Sequence, residues 1–494
     1  MKKFRLKYFF LAILSGILTA ISFPKINAFY FIWIAFIPII YVSLRNCVKN
    51  SLIYGIVFGF THYVISLYWM FPFLKYNTNT IQALIVSVLL WIYLSLYFSF
   101  WTGSLSFSRR HFHPIISSLY ASSSWVMLEY IRTYFLTGFG WNLLGYSQVS
   151  FSYIIQFADI LGVYGISFFI IFINMLLYYW LNDLKGKKFI LYAISIFLLV
   201  FVYGYIRTNN YANHYGEKIT VGVVQPNIDQ YKKWDEKYSN EIIDTINENA
   251  KKFKDMNLDL IIYPETSLPG YLQYEGNIID LVYNVSPYAK MSLFSGPSYD
   301  DNGIYNSVFS VNEKGLVLEK HDKNHLVIFG EFIPFKNILA QYFGVLNSLG
   351  DFSKGKYMNI LKYKNIFVGA TICSENFFPG LSRKLVLNGA KILTNHTNDA
   401  WFFDSYAPYQ HFVMNIFRAV ENRKNVIVSA NTGISAVIDS TGKIIKRTNL
   451  NENISFISEA YQNDIITIYD RIGDVFCYLC MFFTMFIIVI VFII

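Results

Sequence analysis

Charge is scarce in this sequence. Lys, Arg, Asp and Glu make up 15% of its 494 residues, against 54% hydrophobic and 19% aromatic residues. A soluble fold could not hide so much apolar surface, so lipid must cover part of it. The net charge of +9 could suggest nucleic acid, but the excess sits in short clusters between apolar runs. That placement is a footprint of membrane topology, and no nucleic-acid partner is expected. Cysteine is also rare: Cys47 lies in a short basic loop, Cys477 and Cys480 in the last apolar run, and Cys373 in the polar part of the chain. The polar part therefore cannot hold an internal disulfide. The C-x-x-C spacing of Cys477 and Cys480 lacks a βαβ context, which leaves them as lipid-facing or packing residues. No His-Glu-x-x-His motif or Cys/His ligand spacing occurs among the eight histidines, so neither a metal nor another cofactor is expected. No internal repeat or low-complexity stretch is evident.

Long apolar runs are present instead. They lie near residues 8–24, 28–45, 52–74, 81–106, 114–131, 160–181, 189–206 and 473–494, which predicts about eight membrane-spanning helices. The first run lacks a small-x-small cleavage site before Pro24 and reads as a retained anchor. Lys2, Lys3, Arg5 and Lys7, then Arg45 and Lys49, then Arg109 and Arg110, then Lys185, Lys187 and Lys188 occupy alternate loops, whereas the opposite loops hold Lys25, Lys75 and Arg132. The positive-inside rule puts the richer set on the cytoplasmic side and delivers the segment after Ile206 to the outside. Aromatic residues at span ends, including Trp69, Phe71 and Phe73, suit a membrane interface. His62 lies within the third run, where Thr61, Tyr63 and Tyr68 could satisfy a neutral imidazole, so packing is the expected role.

Residues 215–465 read differently. Short β-branched runs recur at Lys218–Val224, Leu258–Tyr263, Asn306–Val311, Asn365–Ile372, Lys391–Thr394 and Asn425–Ser429. Helix-like polar stretches such as Glu236–Phe253 and His411–Arg423 separate several of them. Strands alternating with helices predict an α/β domain with layered sheets. The expected organisation is a membrane domain over 1–206, an extracytoplasmic domain over 215–465, and a terminal membrane helix over 473–494.

Two polar residues stand where α/β sheets place ligand-binding groups, at the ends of apolar strands, and a third lies in a candidate active-site loop. Glu265 follows Leu258–Ile262 in Tyr263-Pro-Glu-Thr266, and Cys373 closes the run Val368-Gly-Ala-Thr-Ile372 with Glu375 two residues on. Lys323 sits in His321-Asp-Lys-Asn-His-Leu-Val327, with Glu331 eight residues later. Each alone has a plainer explanation: a turn acid, a solvated surface lysine, an inert buried thiol.

Glu, Lys and Cys in that order, each ending a strand of one α/β domain, resemble the nitrilase superfamily. Together with seven spans before the domain and one after, they resemble its membrane-bound family, the apolipoprotein N-acyltransferases. The resemblance covers nearly the whole chain. It includes Thr137-Gly-Phe-Gly-Trp141, Leu144-Gly-Tyr-Ser-Gln148 and Leu161-Gly-Val-Tyr-Gly165 in the apolar part. In the polar part it includes Val224-Gln-Pro-Asn-Ile228 with Trp234, Asn324-His-Leu-Val327, Phe329-Gly-Glu331, Asn398-Asp-Ala-Trp-Phe402, Gln410-His411 and Asn431-Thr-Gly-Ile-Ser435. The resemblance implies an α-β-β-α layered sandwich in which Glu265 is the base, Lys323 stabilises the oxyanion and Cys373 forms the acyl-enzyme. Glu331 would orient Lys323, Glu375 would support the cysteine, and Trp234 would help admit lipid. This chain has Ser374 where the family commonly has Tyr, Tyr263 where it often has Trp, and Ile328 where it often has Pro. The change at Ser374 bears on acyl-chain or headgroup preference, not on the reaction class.

The implied reaction moves an acyl chain from a phospholipid, phosphatidylethanolamine being the expected donor, to the N-terminal amine of diacylated lipoproteins. The implied setting is a monomer in the bacterial inner membrane with its catalytic domain on the periplasmic side. Two alternatives stay open on the residues alone. One is a membrane-tethered amidase that uses water as acceptor; the other is a non-catalytic membrane receptor with a degenerate nitrilase domain.

Overall fold

A computed structural model describes residues 5–108, 112–182, 186–211, 216–233, 235–328, 330–332 and 352–493. Contacts divide the chain into two units. One comprises Met1–Asn210, Asp404–Val413 and Arg471–Ile494, the other Tyr211–Phe403 and Met414–Asp470.

In the first unit every apolar run is helical. The segments are Leu6–Ile21, Phe29–Arg45, Val48–Ser66 with Met70–Tyr76, Thr80–Ser108, Pro114–Tyr134, Ala158–Asn182, Lys187–Tyr211 and Val475–Ile493. Four of them are long and apolar enough to cross a bilayer: Thr80–Ser108, Ala158–Asn182, Lys187–Tyr211 and Val475–Ile493. Val48–Ser66 and Met70–Tyr76 make a fifth if that pair, bent by 60°, counts as one span. The first two helices are shorter. Pro114–Tyr134 has the length, but Ser117, Ser118, Ser122, Ser123, Ser124, Glu129 and Arg132 dilute its apolar character.

Lipid offers no hydrophobic drive for helices to pair, so close backbone approach and hydrogen bonds must do it. Val48–Ser66 and Thr80–Ser108 show both. A Cβ on Gly59 would lie 2.8 Å from Ser95 Cα, and one on Gly55 would overlap Thr102. Along the same seam Ser99 Oγ donates to Leu52 O (2.8 Å), Thr102 Oγ1 to Ser51 O (2.9 Å) and Ser106 Oγ to Asn46 O (2.6 Å). His62 packs as expected, stacked on Phe98 with centroids 5.4 Å apart. Cys477 and Cys480 are buried, so of their two expected roles packing is the one seen.

Two expectations change. Trp69 was expected at a membrane interface, yet it is buried and donates Nε1–H to Gln410 Oε1 (3.2 Å), which also accepts from Trp141 Nε1 (2.7 Å). The amide of Gln410 completes its bonding by donating to Pro24 O and Ser66 O. An indole N–H buried with a partner is worth more than one left among apolar neighbours, which explains why the ring turns inward. Arg132, expected in a loop, is buried at its helix end and donates to the carbonyls of Trp141 and Asn142 and to Tyr63 Oη.

The second unit holds two six-stranded sheets among the described residues. The first runs β12 (Ile454–Gln462), β1 (Glu217–Gln225), β2 (Leu258–Ile262), β3 (Ala289–Asp300), β4 (Gly303–Asn312), β5 (Val317–Asp322). The second runs β11 (Ile444–Arg447), β10 (Ala436–Ile438), β9 (Val426–Ala430), β8 (Ile392–Thr397), β7 (Ile366–Ile372), β6 (Ile360–Tyr363). Each has a parallel centre, β1-β2-β3 or β7-β8-β9, with antiparallel strands outside it. Side chains alternate across β2: Leu260 and Ile262 enter the core between the sheets, Ile261 and Tyr263 the core beneath helices Ser239–Lys251 and Gly276–Val285. Val368, Ala370, Ile392, Ile427 and Val437 supply the opposite wall of the inter-sheet core. Helix Pro379–Leu387 packs on β7 from the other side, which completes an α-β-β-α sandwich. Six strands were not predicted: the edges β5, β6, β11 and β12 carry Lys and Glu and lose the apolar signature, while the buried β3 is interrupted by Ser, Gly and Pro and the buried β10 has only three residues.

Gly59→Leu should disrupt the helical seam, whereas Gly276→Ala, with nothing within 4 Å of the added Cβ, should be tolerated. Fluorescence size-exclusion after heating tests this: the first variant should lose its monodisperse peak at a clearly lower temperature than the second. Equal thermal loss would remove close approach as the basis of that packing.

Candidate active site

The parallel strands of each sheet share a direction, so their C-terminal ends form one rim. Glu265 follows β2, Lys323 follows β5, which is antiparallel to β4 and so runs with β3, and Cys373 follows β7 of the other sheet. The blocks at 225–228, 398–402 and 431–435 follow β1, β8 and β9 at the same ends. The three residues picked out in the sequence therefore come from two sheets and meet across the sandwich.

Lys323 is 1% exposed and its Nζ lies 2.7 Å from Glu331 Oε1 and 3.7 Å from Glu265 Oε1. Burial pulls its ammonium down, but the charges of Glu331, Glu265 and Cys373 outweigh this and raise it, so it stays protonated. Asn306 completes the cluster. Its Nδ2 donates to Glu265 Oε1 (2.9 Å) and Glu331 Oε1 (3.3 Å), while its carbonyl accepts Lys323 N–H (2.8 Å). Glu331 Oε2 also accepts Val327 N–H at 3.0 Å, so this carboxylate closes the Lys323 loop on itself.

Cys373 opens a 3₁₀ turn directly after β7 and adopts φ +49°. A side chain in that region costs of order 1–3 kcal/mol, which its surroundings must offset. Asn395 on β8 helps by donating Nδ2–H to Cys373 O (3.2 Å). Cys373 as a residue is half-buried. Desolvation and the neighbouring Glu265 charge push its pKa well up, against Lys323, so the resting group is a thiol that needs a base to become a nucleophile.

Glu375 does more than brace the cysteine. Its buried carboxylate accepts Ile372 N–H on Oε2 (2.8 Å), and Asn324 N–H (2.6 Å) and His325 N–H (3.1 Å) on Oε1. It thereby ties the turn carrying Cys373 to the turn carrying Lys323. Burial raises its pKa to about 7, against those N–H groups and Lys323. A second tie is His396 on β8. Its Nδ1 sits 2.7 Å from Tyr263 O, two residues before Glu265, and Nε2 lies 3.0 Å from Thr394 Oγ1. Burial lowers this imidazole to about 4, so it is neutral, and the carbonyl requires the proton on Nδ1.

Ser374 is buried, and among the described residues its Oγ has no hydrogen-bond partner. Trp234 and Phe329 lie outside the described residues. Sequence reasoning missed Asn306, Asn395, His396 and Lys233. The available signal was an amide or imidazole inside an otherwise apolar strand for the first three. Lys233 offered none beyond its place in a basic pair.

For a carboxyl raised from 4.5 in the unfolded chain to about 7, the folded state holds the extra proton between those values. Glu375 therefore contributes stability that is lost as pH rises through that window. Glu375→Gln should remove that slope, and should cost about 1–3 kcal/mol by turning an amide N–H onto Ile372 N–H. Melting curves at several pH values between 5 and 8 check it; an unchanged slope in the variant would assign the titration elsewhere.

Residues 15–176 match the Apolipoprotein N-acyltransferase N-terminal domain, and residues 220–459 match Carbon-nitrogen hydrolase. The chain is 34% identical over 487 residues to the apolipoprotein N-acyltransferase of Geobacter metallireducens, spanning 96% of this chain and 93% of that one. To the Rickettsia bellii protein of the same name it is 32% identical over 451 residues, 87% and 84% of the two chains. A Saccharomyces cerevisiae member of branch 10 of the nitrilase superfamily aligns with a TM-score of 0.39 at 20% identity, over 52% of this chain and 94% of its own. With its two matched domains in this order and relatives alike along nearly their whole length, the chain belongs to the apolipoprotein N-acyltransferase family.

Proposed function

We propose that this protein transfers an acyl chain from a phospholipid, through a thioester on Cys373, to the N-terminal amine of a diacylglyceryl-cysteine lipoprotein. The observation that carries the mechanism is the buried cluster of Lys323 with Glu265 and Glu331 on the same rim as Cys373. Glu265 takes the thiol proton as sulfur attacks the ester carbonyl. The Lys323 ammonium stabilises the oxyanion, a contribution of about 3 kcal/mol for one well-placed donor. Collapse breaks the ester C–O bond, and the departing lysophospholipid oxygen recovers the proton from Glu265. The lipoprotein amine then attacks the thioester, Glu265 takes its proton, and the amide forms as the sulfur leaves and is reprotonated. An amide is more stable than a thioester, so no ATP is required.

Glu331 orients Lys323, and Glu375 aligns the two turns. Ser374, buried next to the nucleophile, and Trp234 are assigned to donor binding. Both substrates carry acyl chains whose removal from lipid costs about 0.8 kcal/mol per CH₂, which favours reaction at a membrane surface. Eight spans, a domain over 215–465 on the periplasmic side of the inner membrane, a monomeric state and phosphatidylethanolamine as donor complete the proposal. Alkaline phosphatase fused after residue 211 should be active and fused after residue 186 inactive. The reverse pattern would invert the topology.

Incubation with phosphatidylethanolamine, followed by mass spectrometry, should find an acyl mass on Cys373. It should be absent from Cys373→Ser and discharged by a diacylated lipopeptide. Transfer without an adduct would refute the thioester route, and an adduct discharged only by water would favour an amidase. The same assay on Ser374→Tyr and Trp234→Ala should show slower adduct formation or altered headgroup preference without loss of discharge.

A further inference from the structure

The loop after β1 is held by Asn431 and Asn398. Asn227 N–H donates to Asn431 O (3.0 Å), and Asn431 both accepts Ile228 N–H (2.9 Å) and donates to Ile228 O (2.8 Å). Asn398 donates to Gln230 Oε1 at 2.7 Å. So pinned, the loop delivers Lys233 to the rim. Lys233 is 4% exposed, and its Nζ donates to the main-chain oxygen of Glu265 at 2.7 Å. Among the described residues that oxygen is its one hydrogen-bond acceptor, leaving two ammonium N–H groups for other partners.

Burying an ammonium against one neutral carbonyl is costly unless an anion compensates it. Capping the carbonyl does not require a charge, because Thr266 Oγ1 already donates to the same oxygen at 2.8 Å. Two groups that can carry negative charge act on it: Lys233 is coupled electrostatically to the Glu265 carboxylate and to the Cys373 sulfur. The charged groups that act most on the Cys373 sulfur are Glu265, Lys323, Asp399 and Glu331, three carboxylates against one cation, and Lys233 is a second, more weakly coupled cation.

We infer that Lys233 is a positioning residue for the nucleophile, its fixed ammonium offsetting the Glu265 charge and stabilising Cys373 sulfur in its anionic form. The inference rests on Cys373 being the nucleophile. Burial draws Lys233 down to about 8 against the pull of Glu265 and Cys373, so its charge is present below that pH and fades above it. A lysine at this position thus assists the thiolate near neutrality and withdraws at high pH, whereas an arginine would not withdraw.

The test is the pH profile of iodoacetamide alkylation at Cys373 in the full-length, detergent-purified enzyme, read by mass spectrometry. Lys233→Gln keeps a donor for the Glu265 carbonyl and loses the charge; Lys233→Arg keeps the charge at every pH. Below about pH 8 the glutamine variant should alkylate roughly tenfold more slowly than wild type, the equivalent of about one pH unit, and the two profiles should converge above it. The arginine variant should match wild type below about pH 8 and alkylate faster than wild type above it. A glutamine profile superimposed on wild type overturns the inference, as does an arginine profile matching glutamine. If Lys233→Gln fails to fold, Lys233→Met replaces it. If neither folds, coincident wild-type and arginine profiles at high pH overturn the inference. A wild-type Cys373 that alkylates but never carries an acyl group defeats the nucleophile reading alone. An acylated wild type with an unshifted glutamine profile defeats only the role of Lys233.

Discussion

The carboxylate of Glu375 is where two sheets are held in register for one reaction. It receives main-chain N–H groups from Ile372 on one side and from Asn324 and His325 on the other. The proposed nucleophile Cys373 directly follows its anchor, and the proposed oxyanion donor Lys323 directly precedes its two. Packing between sheets is non-directional and could not set that spacing by itself, whereas three hydrogen bonds to one buried group can. His396 and its bond to Tyr263 O perform the same service for the turn carrying Glu265.

Around that clamp the site concentrates charge where charge is expensive. Lys323 lies between two carboxylates, Asn306 bonds both, and Lys233 stands behind Glu265. Each group is tolerable because another neutralises or bonds it. The site therefore works as a set, and substitutions within it are expected to be non-additive. The positive φ of Cys373 belongs to the same economy: the turn is strained, and neighbours such as Asn395 hold it.

The helical unit solves a different problem with a different device. Its pairing uses absent or small side chains, Gly55, Gly59, Ser95, Ser99 and Thr102, so that backbones meet and hydroxyls reach carbonyls across the seam. Several of its buried polar residues have specific partners, as with Arg132 and with Asp159, which pairs with Arg207 at 2.6 Å.

Legibility in the sequence followed the range of the interactions involved. Apolar run length is local, so every helical run was found; whether each is long enough to span was less clear, because serines and turns interrupt several. Six strands were read from their apolar composition; four edges were missed because exposure on one side erases it, and the interior β3 and β10 were missed because Ser, Gly and Pro interrupt one and the other is three residues long. Glu265, Lys323 and Cys373 stood out by strand-end position and order, and Glu331 and Glu375 by their nearness to them. Trp69 was misread because an indole at a span end looks the same whether it faces lipid or Gln410.

The sequence by itself determined the class of the protein, the order of its helical runs and of half its strands, and the candidate site residues, since these depend on composition, periodicity and neighbours along the chain. Only the tertiary structure decided what surrounds those residues. The clamp by Glu375, the shared amide of Asn306, the tautomer of His396 and the second buried lysine all join residues far apart in the chain. Hydrogen bonds and charge pairs act through a few ångströms of space, and sequence separation carries no record of that distance.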